Sequence, residues 1–225
     1  MTSRGFAVTS VIALVVAVVA TVVGHLGLGP TYDPLSLTLS DYALSNNGVA
    51  IELAMVALSG GTLALVGGLV LTRVPVRGLP AGLMLVWVLG LIVAAVIPTD
   101  PIGTPVMSTA ATVHRYASVV AFVALPAAVL LLARRLRERE TVSWCSLVPL
   151  LRRLVVASAV GLAGLWYVAF PGDRVMMGLV ERSLVGVEVV ILFVLALRLM
   201  RVTGPGRPAV APSVERERDM VDLAA

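Results

Sequence analysis

Six apolar runs, each longer than the ~18 residues that indicate a membrane span, constrain this chain more than any other feature. We place the predicted spans at residues 6–28, 48–72, 79–97, 112–133, 151–170 and 175–200. The segments between them carry most of the charge, and 59% of the 225 residues are hydrophobic. The sequence therefore predicts an all-α, polytopic membrane protein whose six transmembrane helices are arranged as three helical hairpins.

Arginine decides the predicted orientation, because all 17 basic residues are arginine and none is lysine. If the amino terminus is cytoplasmic, that side of the membrane receives both chain ends and most of the arginines. The three opposite loops then contain only Arg174. Since positive residues are retained on the inner side, we expect a multi-pass protein of the cytoplasmic membrane with both termini cytoplasmic.

The net charge of +4 does not indicate nucleic acid as a partner, because the arginines follow one membrane face and no soluble module presents them. Anionic lipid headgroups explain this distribution better. We expect membrane lipids as partners, with a lipid or small molecule as a further ligand. A protein partner cannot be named from the sequence.

Two domains are predicted, a six-helix transmembrane domain at residues 1–202 and a disordered cytoplasmic tail at residues 203–225. The tail combines proline, glycine and mixed charge without an apolar face. The first run exceeds the roughly 7–15 apolar residues of a secretory signal, so we expect it to be an uncleaved span. In the loop between the fourth and fifth spans, Trp144 is expected at headgroup level.

Two Asp-Pro pairs in the outer loops resemble helix starts, with aspartate as the N-cap and proline at the first helical position. The pair Asp33-Pro34 predicts a short surface helix, since Leu35, Leu39 and Tyr42 follow at helical spacing. Asp100-Pro101 repeats the signal in the second outer loop.

Ionisable residues from four spans converge on one layer beneath the predicted outer surface. An ionisable side chain at the bilayer centre costs ~2.5–3.5 kcal/mol on insertion scales, so such groups are normally paired or face the bundle interior. Helical spacing places Glu52 with Ser59 and His114 with Ser118 on shared faces. Glu181 likewise shares a face with Glu188, which lies near or beyond the bilayer midplane. The proposed ligand-binding residues are Glu52, Asp100, His114, Arg115, Glu181 and Arg182.

Three functions fit this layer. The first is binding of a lipid head or small anionic group, with Arg115 and Arg182 holding the anion. The second is intramembrane acid/base catalysis on a lipid or isoprenoid, with Glu181 or Asp100 as the proton donor and His114 as the base. The third is a structural or assembly role, in which the polar layer only locks the hairpins together. Whether the chain is an enzyme stays open.

Motifs for metal, phosphate or nucleotide chemistry are missing from the sequence. The two histidines do not occur in a ligand spacing such as His-Glu-x-x-His, so we expect no metal and no cofactor. Ser40, Asp41 and His114 supply the residue types of a hydrolytic triad. Their coexistence alone does not indicate that they meet.

Three ordered motifs carry a family resemblance. They are YDPLSLTLSDYAL at 32–44, IPTDPIGTPVMSTAATVHRYAS at 97–118 and GLVERSLVGVEVVILFVLALRL at 178–199. On these motifs the chain, without its tail, resembles a family of bacterial membrane proteins, frequent in actinobacteria, catalogued as domain of unknown function nine-nine-eight. Ile97 stands where that family usually has phenylalanine. The resemblance implies a six-span fold and brings no established reaction.

Overall fold

A computed structural model describes residues 1–101, 103–139 and 142–204 of the chain. The described residues form helices joined by turns and loops, without a strand. The helices are α1 (Ser3–Gly24), α2 (Leu39–Ala43), α3 (Gly48–Leu71), α4 (Leu79–Val96), α5 (Thr109–Glu138), α6 (Val142–Cys145), α7 (Val148–Ala169) and α8 (Met177–Val202). Six helical segments are long and apolar enough to cross a membrane, namely α1, α3, α4, α5, α6 together with α7, and α8. The all-α fold with six candidate spans is therefore confirmed.

The helix ends follow local sequence signals. Thr2 caps α1 by accepting a hydrogen bond from the Gly5 N–H at 3.1 Å. Ser108 caps α5 in the same way through the Ala111 N–H, also at 3.1 Å. Both α4 and α7 have proline in their first turn, where the missing N–H costs no intrahelical bond.

The long helices form a closed ring. Each predicted hairpin is a pair of contacting helices, α1 with α3, α4 with α5 and α7 with α8. Neighbouring hairpins meet through α3 with α4 and α5 with α7, and α8 returns to contact α1. Because α8 also contacts α3 and α5, it touches four of the other five long helices.

The core of the ring is apolar and regularly spaced. On α8, Leu184, Ile191, Leu195 and Leu199 are at most 1% exposed, at intervals of seven, four and four residues, which place them on one face of the helix. Such a stripe is what a helix needs to bury one face against several neighbours. Outward positions are also apolar, and residues such as Ile12 and Leu89 are 58% and 60% exposed. An apolar exterior of this kind suits contact with lipid chains.

One local prediction was wrong. The first outer helix begins at Leu39 rather than at Pro34, because Asp33 forms a turn in which its Oδ1 accepts a hydrogen bond from the Leu35 N–H at 3.1 Å. Trp144 is 2% exposed and packs in the hydrophobic core. Its depth at headgroup level stays a prediction. The tail prediction concerns residues 203–225, of which those beyond 204 lie outside the described part of the chain.

Candidate functional site

The short helix α2 lies across one end of the ring, which we call the α2 end. A capping box fixes its start: the Asp41 Oδ2 accepts hydrogen bonds from the Thr38 N–H at 2.8 Å and the Thr38 hydroxyl at 2.7 Å. The Thr38 Oγ1 in turn accepts a hydrogen bond from the Asp41 N–H at 3.1 Å. This reciprocal pair holds five residues in helical form although so short a helix is unstable alone.

Glu181 joins α2 to α8. Its Oε2 accepts a hydrogen bond from the Leu39 N–H at 2.7 Å, and the side chain is 7% exposed. Leu39 is the first residue of α2, so the carboxylate satisfies an N–H that has no partner within its own helix. The position of α2 over the ring therefore depends on α8.

Arg182 clamps the loop before α2. Its Nη1 donates to the carbonyl oxygens of Pro34 at 2.9 Å, Leu37 at 2.6 Å and Gly178 at 3.0 Å. Its Nε and Nη2 both approach the Nε2 of His25, at 3.1 Å and 2.9 Å. Through these donors the guanidinium ties α8 to His25 and to the loop before α2.

Tyr42 completes this packed side of the α2 end. Its ring stacks on His25 with centroids 4.2 Å apart, and the Arg182 guanidinium lies 4.8 Å from the ring centroid. The phenol donates to the Tyr32 carbonyl at 2.7 Å. Burial raises the pKa of Tyr42 above its ordinary value of 10.0.

Asp33 stabilises the turn that precedes α2. Its carboxylate accepts hydrogen bonds from the Ser36 hydroxyl at 2.6 Å and the Leu35 N–H at 3.1 Å. These two bonds lower the pKa of Asp33 below its ordinary value of 3.8. The turn is thus held by an ionised aspartate at neutral pH.

His114 lies on the other side of Glu181 and contacts a serine. The His114 Nδ1 is 2.7 Å from the Ile97 carbonyl oxygen, and its Nε2 is 2.7 Å from the Ser40 Oγ. Ile97 is the C-cap of α4, His114 lies in the second turn of α5, and Ser40 is in α2. Three segments therefore place a hydroxyl and an imidazole within hydrogen-bonding distance, with the imidazole 4% exposed.

Two cavities meet beside this pair. A polar cavity of about 100 Å³ includes Ser40, Asp41, His114, Arg115, Arg174 and Glu181 in its lining. An apolar cavity of about 50 Å³ is lined mainly by hydrophobic side chains, including Ile51, Leu58, Trp87, Leu91, Phe122 and Val185. Ser40, Ser118, Phe122 and Glu181 line both cavities. If a molecule with a polar head and an apolar chain occupied both cavities, the bond between head and chain would therefore lie beside Ser40.

The structure brings together half of the proposed ligand-binding residues. His114, Arg115 and Glu181 line the polar cavity. Arg115 and Arg174 are exposed at its edge, and within the described residues neither guanidinium donates a hydrogen bond.

The other three proposed residues lie outside this cavity. Arg182 is occupied by the loop, as described above. Asp100 accepts a hydrogen bond from the Ser108 N–H at 2.7 Å and so holds the loop before α5. Glu52 is exposed, because the preceding residue Ile51 occupies the inward position at this height and is 3% exposed.

No group of three or more His, Cys, Asp or Glu side chains suited to a metal ion occurs within residues 1–101, 103–139 and 142–204. The Glu181 carboxylate, which lines the same cavity as His114, accepts a hydrogen bond from the Leu39 N–H. The chemistry available at the α2 end is therefore that of hydroxyl, imidazole, carboxylate and guanidinium groups.

Comparison with known families supports the resemblance carried by the three motifs. Residues 11–198 match the family described as Protein of unknown function (DUF998). The chain belongs to this family. No curated protein and no solved structure gives a significant match to it. The DUF998 match includes Ser40, His114, Arg115, Arg174 and Glu181.

Two residues of the site at the α2 end were not among those proposed from the sequence. The sequence indicates Ser40 only as a residue type of a hydrolytic triad, and Arg174 only as a charge that bears on orientation. The sequence gives one partial signal for Ser40. It lies in the motif at 32–44, between Thr38 and Asp41, which form the capping box of α2. Nothing in the linear sequence indicates that Ser40 meets His114, which is 74 residues away.

Proposed function

We propose that this integral membrane protein binds the anionic head of an amphiphile at the α2 end. The observation that carries the proposal is the pair of arginines, Arg115 and Arg174, at a polar cavity that adjoins an apolar one. Guanidinium groups recognise phosphate and carboxylate through parallel N–H donors. The apolar cavity would take the first part of a hydrocarbon chain.

The orientation of the site forms part of the proposal. The arginine distribution favours a cytoplasmic position for both chain ends, which would direct the α2 end outward. The anionic ligand would then reach the cavity from the outer leaflet or from the outer solution. A cytoplasmic membrane location agrees with the six apolar segments, though these segments suit any bilayer of similar thickness.

Lipid binding to the full chain in nanodiscs tests this proposal. We expect phosphatidylglycerol to bind more tightly than phosphatidylcholine, measured by native mass spectrometry of the released complexes. In the double variant Arg115→Gln, Arg174→Gln this preference should fall about tenfold or more, which corresponds to the loss of one charge-assisted interaction.

A matched variant controls for net charge. Arg73→Gln together with Arg77→Gln removes the same two charges from exposed positions in the α3–α4 turn. This control should retain the preference for the anionic lipid. An equal loss in both double variants, or no loss in either, would contradict binding at the α2 end.

A second candidate function is catalysis on a lipid or isoprenoid substrate. His114 and Glu181 line one cavity, which favours this candidate, whereas Asp100 is held by Ser108 away from it. A purely structural role for the polar layer fits less well, because locking the hairpins together requires no cavity. Residues Arg182 and Glu181 do perform that locking role in part.

A further inference from the structure

We propose that Ser40 is a nucleophile, activated by His114, that accepts an acyl group from an ester of the amphiphile bound at the α2 end. The class of substrate rests on the proposed binding function, whereas the reactive pair rests on its own geometry. The Ser40 Oγ lies 2.7 Å from the His114 Nε2.

The hydrogen bonds of His114 determine the direction of proton transfer. A carbonyl oxygen can only accept, so the Nδ1 that lies 2.7 Å from the Ile97 carbonyl carries a proton. In the neutral imidazole the Nε2 is then an acceptor, and the Ser40 hydroxyl donates to it. This is the arrangement in which an imidazole acts as general base toward a serine.

The Ile97 carbonyl holds the imidazole in this tautomer. In a serine, histidine and aspartate triad the aspartate performs that task, and it also stabilises the charged imidazolium. Asp41 does not take this role here, because its Oδ2 accepts from Thr38 and the His114 Nδ1 faces Ile97. A carbonyl fixes the ring orientation with a weaker electrostatic effect, so Ser40 and His114 form a dyad that Ile97 positions.

Rigid neighbours hold the serine in place. The capping box of Thr38 and Asp41 and the bond from Leu39 to Glu181 fix the first turn of α2 on both sides of Ser40. His114 is held on the long helix α5 and is 4% exposed. A reactive pair on supported elements is what covalent catalysis requires.

The two cavities indicate the substrate class. Ser40 lines both the polar and the apolar cavity, so an ester carbonyl at Ser40 would stand between a head near Arg115 and Arg174 and an acyl chain near Phe122. A fatty acyl ester with an anionic head fits this division. A small polar ester would leave the apolar cavity unused, and an uncharged hydrocarbon would leave the arginines unused.

The reaction proceeds through two acyl transfers. The Ser40 Oγ attacks the ester carbonyl carbon as its proton passes to the His114 Nε2. Collapse of the tetrahedral intermediate breaks the bond to the alcohol oxygen, which leaves with the proton from His114. Water or a second alcohol then attacks the acyl-Ser40 carbonyl while His114 takes its proton, and the acyl product departs as that proton returns to Ser40.

Labelling with an uncharged alkyl fluorophosphonate tests the dyad directly. The full chain in nanodiscs should gain one covalent phosphonyl group, located on Ser40 by peptide mass spectrometry. Labelling should be lost in Ser40→Ala and should slow by about 100-fold in His114→Gln, as expected for removal of a general base. Ser183→Ala, which alters an exposed serine on α8, should label like the unaltered chain.

A second measurement covers the case in which Ser40→Ala fails to fold. Ser40→Cys in a Cys145→Ser background provides a thiol at the same position and leaves no other cysteine. Its alkylation rate with iodoacetamide should fall about tenfold when His114→Gln is added, because the imidazole promotes formation of the thiolate. Equal rates in the two chains would overturn the proposal.

The two proposals fail in different experiments. Absence of label at Ser40 in the folded, lipid-binding chain would overturn the nucleophile and leave the binding function in place. Labelling of Ser40 in a chain without preference for phosphatidylglycerol would overturn the binding function and the anionic substrate, while the dyad itself would be supported.

Discussion

Arg182 on α8 donates two hydrogen bonds to a single nitrogen, the Nε2 of His25, at the end of α1. The His25 Nδ1 donates to the Thr21 carbonyl at 2.7 Å, so His25 presents its acceptor nitrogen to the arginine. His114 has the same arrangement, with a carbonyl at Nδ1 and a donor at Nε2. The Nε2 of His25 thus accepts hydrogen bonds from an arginine, whereas the Nε2 of His114 accepts one from a serine hydroxyl.

We expect Arg182→Gln to lower the free energy of unfolding by at least about 1.5 kcal/mol, the lower range for one hydrogen bond to a charged group. Arg182→Lys should restore only part of this loss, because one ammonium cannot serve both the carbonyls and His25. Thermal unfolding in a fixed detergent, followed by tryptophan fluorescence, measures the difference. Arg174→Gln, at an exposed position, is the control. Equal stability of Arg182→Gln and the control would contradict this structural role.

Gly178→Ala should detach the loop before α2. An added Cβ would collide with the Leu37 carbonyl oxygen and lie 2.7 Å from both the Pro34 carbonyl oxygen and the Arg182 Nη1. Such overpacking typically costs about 1–3 kcal/mol. Gly60→Ala, where an added Cβ meets nothing within 4 Å, should preserve or slightly raise stability. Thermal unfolding and lipid binding measured on both variants test this, and identical behaviour would count against the close approach at Gly178.

Glu188→Met should stabilise the protein. Glu188 is fully buried on α8, and both of its carboxylate oxygens have no hydrogen-bond partner within the described residues. Replacement by an apolar side chain of similar size removes an unsatisfied polar group, worth about 1–3 kcal/mol. Glu188→Ala is the control for packing and should be less stable than Glu188→Met, because it removes the same carboxylate but leaves a cavity. A lower unfolding temperature for Glu188→Met would contradict the prediction and indicate a partner for the carboxylate.

Alkaline pH should loosen the α2 end through Tyr42. Burial raises the pKa of this phenol above 10.0, so the unfolded state ionises first. The stability contributed by the neutral phenol is complete below pH 10 and is lost as pH rises through the folded-state pKa. Thermal unfolding between about pH 9 and 11 should show this loss in the unaltered chain and less of it in Tyr42→Phe. Tyr167→Phe, at a position that is 60% exposed, should keep the full pH dependence.

Hydropathy made the spans predictable, because apolar runs of this length have few alternatives in a bilayer or a folded core. The end of α4 differs by one residue from the predicted span, and α5 extends at both ends to Thr109 and Glu138. The extension toward Glu138 includes arginines, which hydropathy excludes from a span although they continue the helix well. Orientation relative to the membrane stays a prediction.

Side-chain direction was less predictable. Glu52 and Ser59 are seven residues apart on α3, yet Ser59 is buried and Glu52 is exposed. Helical periodicity predicts which residues share a face of a helix, whereas the packing of neighbouring helices decides which of those residues is buried. The Asp33-Pro34 signal failed for a related reason, since the capping box of Thr38 and Asp41 provided a better helix start.

Contacts between distant segments were beyond sequence reasoning. The bond between Arg182 and His25 joins residues 157 positions apart, and that between Leu39 and Glu181 joins residues 142 apart. The hypothesis from the sequence was that Arg182 binds an external anion. In the structure, carbonyl oxygens of the loop before α2 accept hydrogen bonds from Arg182, because the loop folds back over α8.

The separation between Leu39 and Glu181 also has a consequence for biosynthesis. Helix α2 emerges early from the ribosome, but its anchor on α8 emerges only after five other crossings have been made. Until then the Leu39 N–H lacks the carboxylate that accepts its hydrogen bond, so α2 has no bond to α8. A chain released before α8 is made would keep the capping box of α2 and lose the anchor that holds this helix over the ring.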